Sequence, residues 1–143
     1  DVYKIPTDVR QARITEYASM FGILDVLNSR ISSFSHGMKQ KLFLTASLVT
    51  DPHNWILDEP MVGLDPDAAF KLKELMRKRA SEGKTVFFST HVMEVAEKLC
   101  DRIGIIKKGK LVFVGTKDEL KAKYAGTEDK SLEDIFLELT AGE

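Results

Sequence analysis

Cysteine and long apolar runs are what this chain has least of. Its 143 residues include one cysteine, Cys100, which excludes an internal disulfide and fits a reducing compartment. No apolar run approaches the roughly 20 residues that a helix needs to span a bilayer, and no secretory signal is visible. We therefore expect any association with a membrane to come through a partner.

An excess of charge of one sign is also absent. The chain has 21 Lys and Arg residues against 22 Asp and Glu residues, a formal net charge of −1. Proteins that bind nucleic acid usually carry a basic footprint, so this balance gives no support for such a partner. The composition, 43% hydrophobic and 30% charged, predicts a soluble globular domain or part of one.

A phosphate-binding loop of the pattern G-x-x-x-x-G-K-[ST] is missing too. The stretch Gly83-Lys84-Thr85 resembles its end, but Lys78 stands where the first glycine is required. The predicted local order is helix, turn and strand, whereas the loop needs a strand before it and a helix after it. These 143 residues therefore offer nothing that would cradle the β-phosphate of a nucleotide.

Two adjacent acids stand out among the residues that are present. The apolar run Trp55–Leu57 ends in Asp58 and Glu59, which Pro60 follows. A strand that ends in two acids places them at the carboxyl edge of a sheet, where open α/β sheets bind ligands. There one acid can help to hold magnesium while the other orients or deprotonates a water. The alternative is a buried strand followed by two solvated acids.

A helix and a second strand are predicted after these acids. Asp65 is the expected N-cap, with Pro66 at the first helical position and Asp67 in the first turn. The predicted buried stripe is Ala68, Leu72, Leu75, Met76 and Ala80, and Gly83 ends the helix. Thr85–Phe88 is predicted to be a second buried strand. Strand, helix and strand at this spacing indicate a βαβ unit with parallel strands.

Small residues mark the start of an earlier helix. Ser35 and Gly37 leave a hydroxyl and backbone N–H groups able to face an anion, as helix N-termini often do. The alternative is an ordinary serine N-cap. Apolar residues lie on most sides of the helix that follows, so we expect it to be largely buried.

A histidine follows the second predicted strand. Ser89-Thr90-His91 ends that strand, and helical periodicity begins at Val92. We expect His91 on the same sheet edge as the two acids, where an imidazole can donate to a phosphate oxygen. The alternative is a cap or a surface residue. The other predicted elements are a helical region over 1–30, a hairpin of strands 102–106 and 111–114, and closing helices at 117–124 and 132–139 with a Ser131/Asp134 capping box.

Taken together, the motifs FSHGMKQK, WILDEP, GLD and STH resemble the second half of an ABC transporter ATP-binding subunit. Their order and spacing match over nearly the whole chain, as does the tail CDRIGIIKKGKLVFVGTKDEL. The GMKQ signature and the LEDIFLEL segment are similar to those of bacterial exporter subunits. The resemblance implies a partial P-loop NTPase-like, three-layer α/β fold with parallel strands. Residues 1–50 would form a helical subdomain with the signature motif and the following helix, and residues 51–143 the C-terminal part of the ATPase core with the closing hairpin and helices.

The resemblance also implies roles for individual residues. Ser35, His36, Gly37 and Met38 fall in the signature motif, which reaches the γ-phosphate of ATP held by another subunit. The usual pattern is Ser-Gly-Gly-Gln, so His36 replaces a glycine and Met38 a glutamine.

At the remaining positions, Asp58 would hold magnesium through water and Glu59 would be the general base. Asp65 lies in the D-loop, which communicates between two sites, and His91 would contact the γ-phosphate. The cofactors implied are ATP and Mg²⁺.

The implied function is ATP hydrolysis that drives transport. Two ATP-binding subunits, identical or different, would close around two nucleotides and move a transmembrane partner, with no nucleic acid involved. The protein would be cytoplasmic and peripheral on the inner face of the membrane. Since the phosphate loop would lie before Asp1, we expect a fragment that is inactive alone.

Two other functions stay open. A DNA-maintenance ATPase of the ABC type would have its C-terminal lobe here, but the expected heptads and basic face are not seen. A non-catalytic interaction module fits the altered signature but not the intact Asp58, Glu59 and His91.

Overall fold

The computed structural model describes residues 3–124 and 130–141. The chain divides into two compact units, Asp1–Ser89 and Thr90–Glu143, called here the first and second unit. In the described residues, no helix is both long and apolar enough to cross a membrane. The predicted boundary between residues 1–50 and 51–143 stays a prediction.

The first unit contains a parallel βαβ arrangement preceded by helices. Strands β1 (Asn54–Leu57) and β2 (Thr85–Phe88) pair in parallel, and helix α3 (Pro66–Ser81) connects them, as predicted. In their register Asn54 lies opposite Thr85 and Leu57 opposite Phe88. In chain order its elements are α1 (Thr7–Met20), 3₁₀ turns at Leu24–Val26 and Ile31–Ser33, α2 (His36–Val49), β1 (Asn54–Leu57), α3 (Pro66–Ser81) and β2 (Thr85–Phe88).

Helix α3 begins as the sequence predicts. The Asp65 side chain accepts the Ala68 N–H at 3.0 Å, and Pro66, which has no N–H to satisfy, occupies the first turn. The predicted buried stripe is wrong at its last position, because Ala80 is exposed and Arg79 is buried. Arg79 is tolerated inside because its guanidinium donates to Asp51 and lies 5.5 Å from the centre of the Trp55 ring.

The two strands are buried on one face only. Trp55 and Leu57 are buried, and Trp55 Nε1 donates to Ser47 Oγ of α2 at 3.0 Å. On the other face Ile56 is 72% and Phe87 66% exposed, and these two residues are register partners. The prediction of a buried second strand is therefore wrong: Phe87 is exposed and Val86 and Phe88 are only half-buried, because the described residues of the first unit leave one face of the strands open to solvent.

Helix α2 is likewise buried along one side. Leu44, Thr45, Leu48 and Val49 are buried, while Phe43 is 55% exposed. The expectation of a largely buried helix is wrong for its outer side, because the helix packs on the rest of the unit with one face. The other large buried side chains of this unit include Phe21, Ile23, Leu72 and Pro60.

In its described residues, 90–124 and 130–141, the second unit has an antiparallel hairpin and three helices. Its elements are α4 (Met93–Leu99), β3 (Ile103–Lys107), β4 (Lys110–Gly115), α5 (Lys117–Tyr124) and α6 (Leu132–Ala141). The turn residues Lys108 and Gly109 both have positive φ, as a two-residue hairpin loop of type I′ requires. The predicted hairpin, the closing helices and the reciprocal Ser131–Asp134 capping hydrogen bonds are confirmed. The core of this unit is Ala96, Ile105, Phe113, Leu120, Leu132 and Ile135.

Candidate functional site

The two adjacent acids stand where the sequence predicts, directly after β1. The strand ends at Leu57, Asp58 is exposed and Glu59 is half-buried. Glu59 has φ +42°, a left-handed conformation that is uncommon outside glycine and costs on the order of 1 kcal/mol. The backbone therefore turns away from the sheet at the second acid, and buried Pro60 follows.

A serine directly after the neighbouring strand, β2, connects the two acids. Ser89 Oγ accepts the N–H of Glu59 at 2.9 Å and donates to Asp58 Oδ1 at 2.5 Å. Its own backbone N–H donates to the carbonyl of Leu57 at 3.0 Å. Ser89 lies in the STH motif, but sequence reasoning gave it no role. The signal was the equal length of the two parallel strands, which brings the residues that follow them to the same edge.

The signature segment begins helix α2, and its serine is the cap of that helix. Ser35 Oγ accepts the N–H of Met38 at 3.2 Å, so the ordinary N-cap geometry is present. Ser35 and His36 are exposed, whereas Gly37 and Met38 are half-buried. Contact between this segment and a phosphate stays a prediction.

The signature segment also packs against the loop that follows the acids. A Cβ on Gly63 would lie 2.6 Å from His36 Cδ2, and a Cβ on Gly37 would lie 2.5 Å from the Gly63 carbonyl oxygen. Gly63 further needs its freedom because its φ is +79°. Gln40 Nε2 adds a hydrogen bond to the Pro60 carbonyl at 3.2 Å. Two sequence motifs that lie 20 to 30 residues apart are thus in direct contact.

Asp65 links the starts of two helices. One carboxylate oxygen caps α3 through Ala68, and the other lies 2.5 Å from Lys41 Nζ of α2. The hydrogen bond from Lys41, followed by that from the Ala68 N–H, lowers the pKa of Asp65 to about 2. Asp65 is therefore ionised throughout the physiological range, and its role as a D-loop residue stays a prediction.

His91 belongs to the second unit, where it is exposed and precedes α4. The turn before that helix is fixed by Thr90 Oγ1, which accepts the Val92 N–H at 3.1 Å. The expectation that His91 shares an edge with the acids stays a prediction.

The donor set near the acids fits magnesium bound together with a nucleotide. Among the described residues there is no group of three or more His, Cys, Asp or Glu side chains that could hold a metal by themselves. Magnesium usually keeps several waters and is bound by one or two carboxylates together with substrate phosphates. The exposed carboxylate of Asp58 meets that need.

The lysine of the Gly83-Lys84-Thr85 stretch has a different role. Lys84 Nζ donates to Asp51 Oδ1 at 2.7 Å, before the amino end of β1 and away from the two acids. The order helix, turn and strand is also confirmed. This lysine therefore stabilises the fold at the end of the strand that does not carry the acids.

Comparisons with known proteins agree with these observations. A family profile described as "AAA domain, putative AbiEii toxin, Type IV TA system" matches residues 26–97. The linearmycin resistance ATP-binding protein LnrL of Bacillus subtilis is 38% identical over 117 residues, which cover 82% of this chain and 37% of that protein. The ABC-type transporter ATP-binding protein EcsA of Bacillus subtilis is 34% identical over 138 residues, which cover 96% of this chain and 56% of that protein.

A solved structure described as an ATP binding subunit of an ABC transporter is similar throughout. It superimposes with a TM-score of 0.88 at 31% identity and covers 96% of this chain and 57% of its own. This likeness confirms the predicted P-loop NTPase-like α/β fold class. The chain spans between about a third and just over half of the length of the relatives that it matches.

Proposed function

Because this chain belongs to the AAA-domain family and to the ABC transporter ATP-binding proteins, we propose that it forms the acid-bearing part of a site that hydrolyses ATP to drive transport. The observation that carries the proposal is the pair Asp58 and Glu59, held by Ser89 at the carboxyl end of parallel strands. Ligands bind at that end in open α/β sheets.

The two acids would have different tasks. Asp58 would hold Mg²⁺, which when bound neutralises charge on the phosphate oxygens. Glu59 would accept a proton from the attacking water or orient it, since a carboxylate within hydrogen-bonding reach of a water is a suitable general base. Positioning and charge neutralisation would supply most of the acceleration.

The signature segment would complete the site of another subunit. Ser35, His36, Gly37 and Met38 lie at the N-terminus of α2, where the helix dipole and backbone N–H groups favour an anion such as the γ-phosphate of ATP. His91 would contact the γ-phosphate of its own site and help to fix the water. Asp65 would carry changes between the two sites.

The partners follow from this arrangement. Two ATP-binding subunits, identical or different, would close around two nucleotides and move a transmembrane subunit between two states. The protein would thus be cytoplasmic and attached to the inner face of the membrane through that subunit. The net charge of −1 gives no support for a nucleic-acid partner, and none is expected.

The test is a base-removing substitution in the natural protein that carries these residues. Glu59→Gln keeps the size of the side chain but removes the base, so phosphate release should fall by roughly 100-fold or more while ATP binding is retained. Glu82→Gln, at an exposed acid after α3, is the matched control and should keep the normal rate.

One outcome would contradict the base assignment, and another would contradict the expected inactivity of the chain alone. Turnover of Glu59→Gln near the normal rate would show that the base assignment is wrong. Since the 143 residues contain no phosphate loop, they should bind ATP weakly and release no phosphate by themselves. Measurable turnover by this chain in pure form would overturn that expectation.

A further inference from the structure

One hydroxyl group holds both acids of the candidate site. The backbone N–H of Glu59 can only donate, and an ionised Asp58 carboxylate can only accept. Ser89 Oγ satisfies both, since it accepts from Glu59 at 2.9 Å and uses its single proton toward Asp58 Oδ1 at 2.5 Å. The Ser89 hydroxyl is therefore oriented by both neighbours, as an acceptor from Glu59 and as a donor to Asp58.

The Ser89 hydroxyl takes no part in the hydrogen bonding between the two strands. The ladder bond at this position is made by the backbone N–H of Ser89 to the Leu57 carbonyl, at 3.0 Å. Removing the hydroxyl leaves that bond in place. The parallel pairing of β1 with β2 therefore does not depend on the Ser89 side chain.

The Ser89 hydroxyl supports an unfavourable backbone conformation at Glu59. Glu59 has φ +42°, which is unfavourable for a residue with a side chain and needs support from its surroundings. The hydrogen bond from the Glu59 N–H to Ser89 Oγ supplies that support. It therefore helps to fix the direction of the Glu59 side chain, the proposed base. At the same time the bond to Oδ1 restricts rotation of the Asp58 carboxylate.

We infer that Ser89 is a positioning residue, whose hydroxyl presents the Asp58 carboxylate to the metal and fixes the turn that directs Glu59. This inference rests on the proposed function. In this role Ser89 acts through its hydrogen bonds to the two acids. Partners of metal-binding carboxylates commonly change metal affinity or activity by 10- to 100-fold when they are removed.

The test uses Ser89→Ala, Ser89→Thr and the control Ser81→Ala in the natural protein. Ser89→Ala should lower kcat about 10- to 100-fold and raise the Mg²⁺ concentration for half-maximal rate, with a small change in the KM for ATP. Ser89→Thr keeps the hydroxyl at an exposed position and should restore both values. Ser81 donates its hydroxyl to the Lys78 carbonyl at the end of α3. The control Ser81→Ala should therefore leave kcat and the Mg²⁺ dependence unchanged.

A second measurement needs no turnover. Amide hydrogen exchange at Glu59, followed by NMR, should be about tenfold or more faster in Ser89→Ala than in the normal protein and unchanged in Ser89→Thr. If Ser89→Ala does not fold, Ser89→Cys is used, because a thiol is close in size and only a weak hydrogen-bonding group. For Ser89→Cys we also expect a lower kcat, a higher Mg²⁺ requirement and faster amide exchange at Glu59.

The outcomes separate this inference from the proposed function. If Glu59→Gln keeps normal turnover, the proposed function fails and the inference with it. If Glu59→Gln abolishes turnover while Ser89→Ala matches Ser81→Ala in kcat and Mg²⁺ dependence, only the inference is overturned. A Ser89→Thr variant as impaired as Ser89→Ala would overturn it as well.

Discussion

At its amino end strand β1 is preceded by Asp51, and at its carboxyl end it is followed by Asp58 and Glu59. Asp51 is surrounded by three cations, with nitrogen to carboxylate oxygen distances of 3.6 Å for Arg13, 3.0 Å for Arg79 and 2.7 Å for Lys84. Asp58 instead accepts from a neutral hydroxyl, that of Ser89.

The two ends also share a feature. Asp51 has φ +46° and Glu59 has φ +42°, so the backbone turns through a left-handed residue at each. The hydrogen bond from Lys84, followed by that from Arg79, lowers the pKa of Asp51. One end therefore uses its acid to hold the fold together. The other end carries Asp58, an exposed carboxylate that accepts a hydrogen bond from the neutral hydroxyl of Ser89, and a carboxylate of this kind suits a metal-dependent site.

Removing Asp51 should have the largest effect on stability. Asp51→Ala leaves Arg79, which is 3% exposed, without its carboxylate and leaves three cations close together. Breaking a buried pair in this way costs several kcal/mol, and about 3 kcal/mol is expected here because the Asp51 side chain is 34% exposed. Urea unfolding measures the loss.

The matched variant at the other end is Asp58→Ala. It removes an exposed acid, so the free energy of unfolding should change by no more than about 0.5 kcal/mol, while ATP turnover falls. If Asp58→Ala were as destabilising as Asp51→Ala, the contrast between the two ends would not hold.

Removing one of the three cations should have a smaller effect. In Lys84→Met the other two cations still pair with Asp51, and Lys84 is partly exposed, so the expected loss is about 0.5–1 kcal/mol. ATP turnover should be unchanged, since this lysine lies at the end of β1 away from the acids. A large loss of turnover with normal stability would show that Lys84 belongs to the nucleotide site after all.

The smallest effect concerns acid sensitivity. The pKa of Asp65 is about 2 in the folded protein against 3.8 for the unperturbed group, so its contribution to stability is complete above about pH 4 and is lost as the pH falls toward 2. Lys41→Met removes the main cause of this shift. The urea midpoint should then fall less steeply between pH 4 and 2 than in the control Lys73→Met, and equal slopes would contradict the assignment.

Local signals in the sequence were sufficient for much of the fold. Asp65-Pro66 begins α3, Lys108-Gly109 turns the hairpin, and Ser131 with Asp134 caps α6, because each of these depends on neighbours within a few residues. The place of Asp58 and Glu59 also followed from the apolar run before them.

Features that depend on distant residues were not predictable in the same way. Arg79 rather than Ala80 is buried because Asp51 and Trp55 receive its guanidinium. The part played by Ser89 depends on the register between two strands that lie 31 residues apart at this point. Ile56 and Phe87 are apolar residues, so the sequence could not indicate that this face of the strands is exposed.

The contact between Gly37 and Gly63 restricts which sequences can occupy this region. Exposed loops usually accept many residue types, but here the two backbones approach so closely that neither position has room for a methyl group. Position 36 is tied to the same restriction, since its imidazole fills the space above Gly63. In a library of variants selected for folding, positions 37 and 63 should therefore retain glycine almost exclusively. Position 36 should accept only side chains whose shape fits against Gly63.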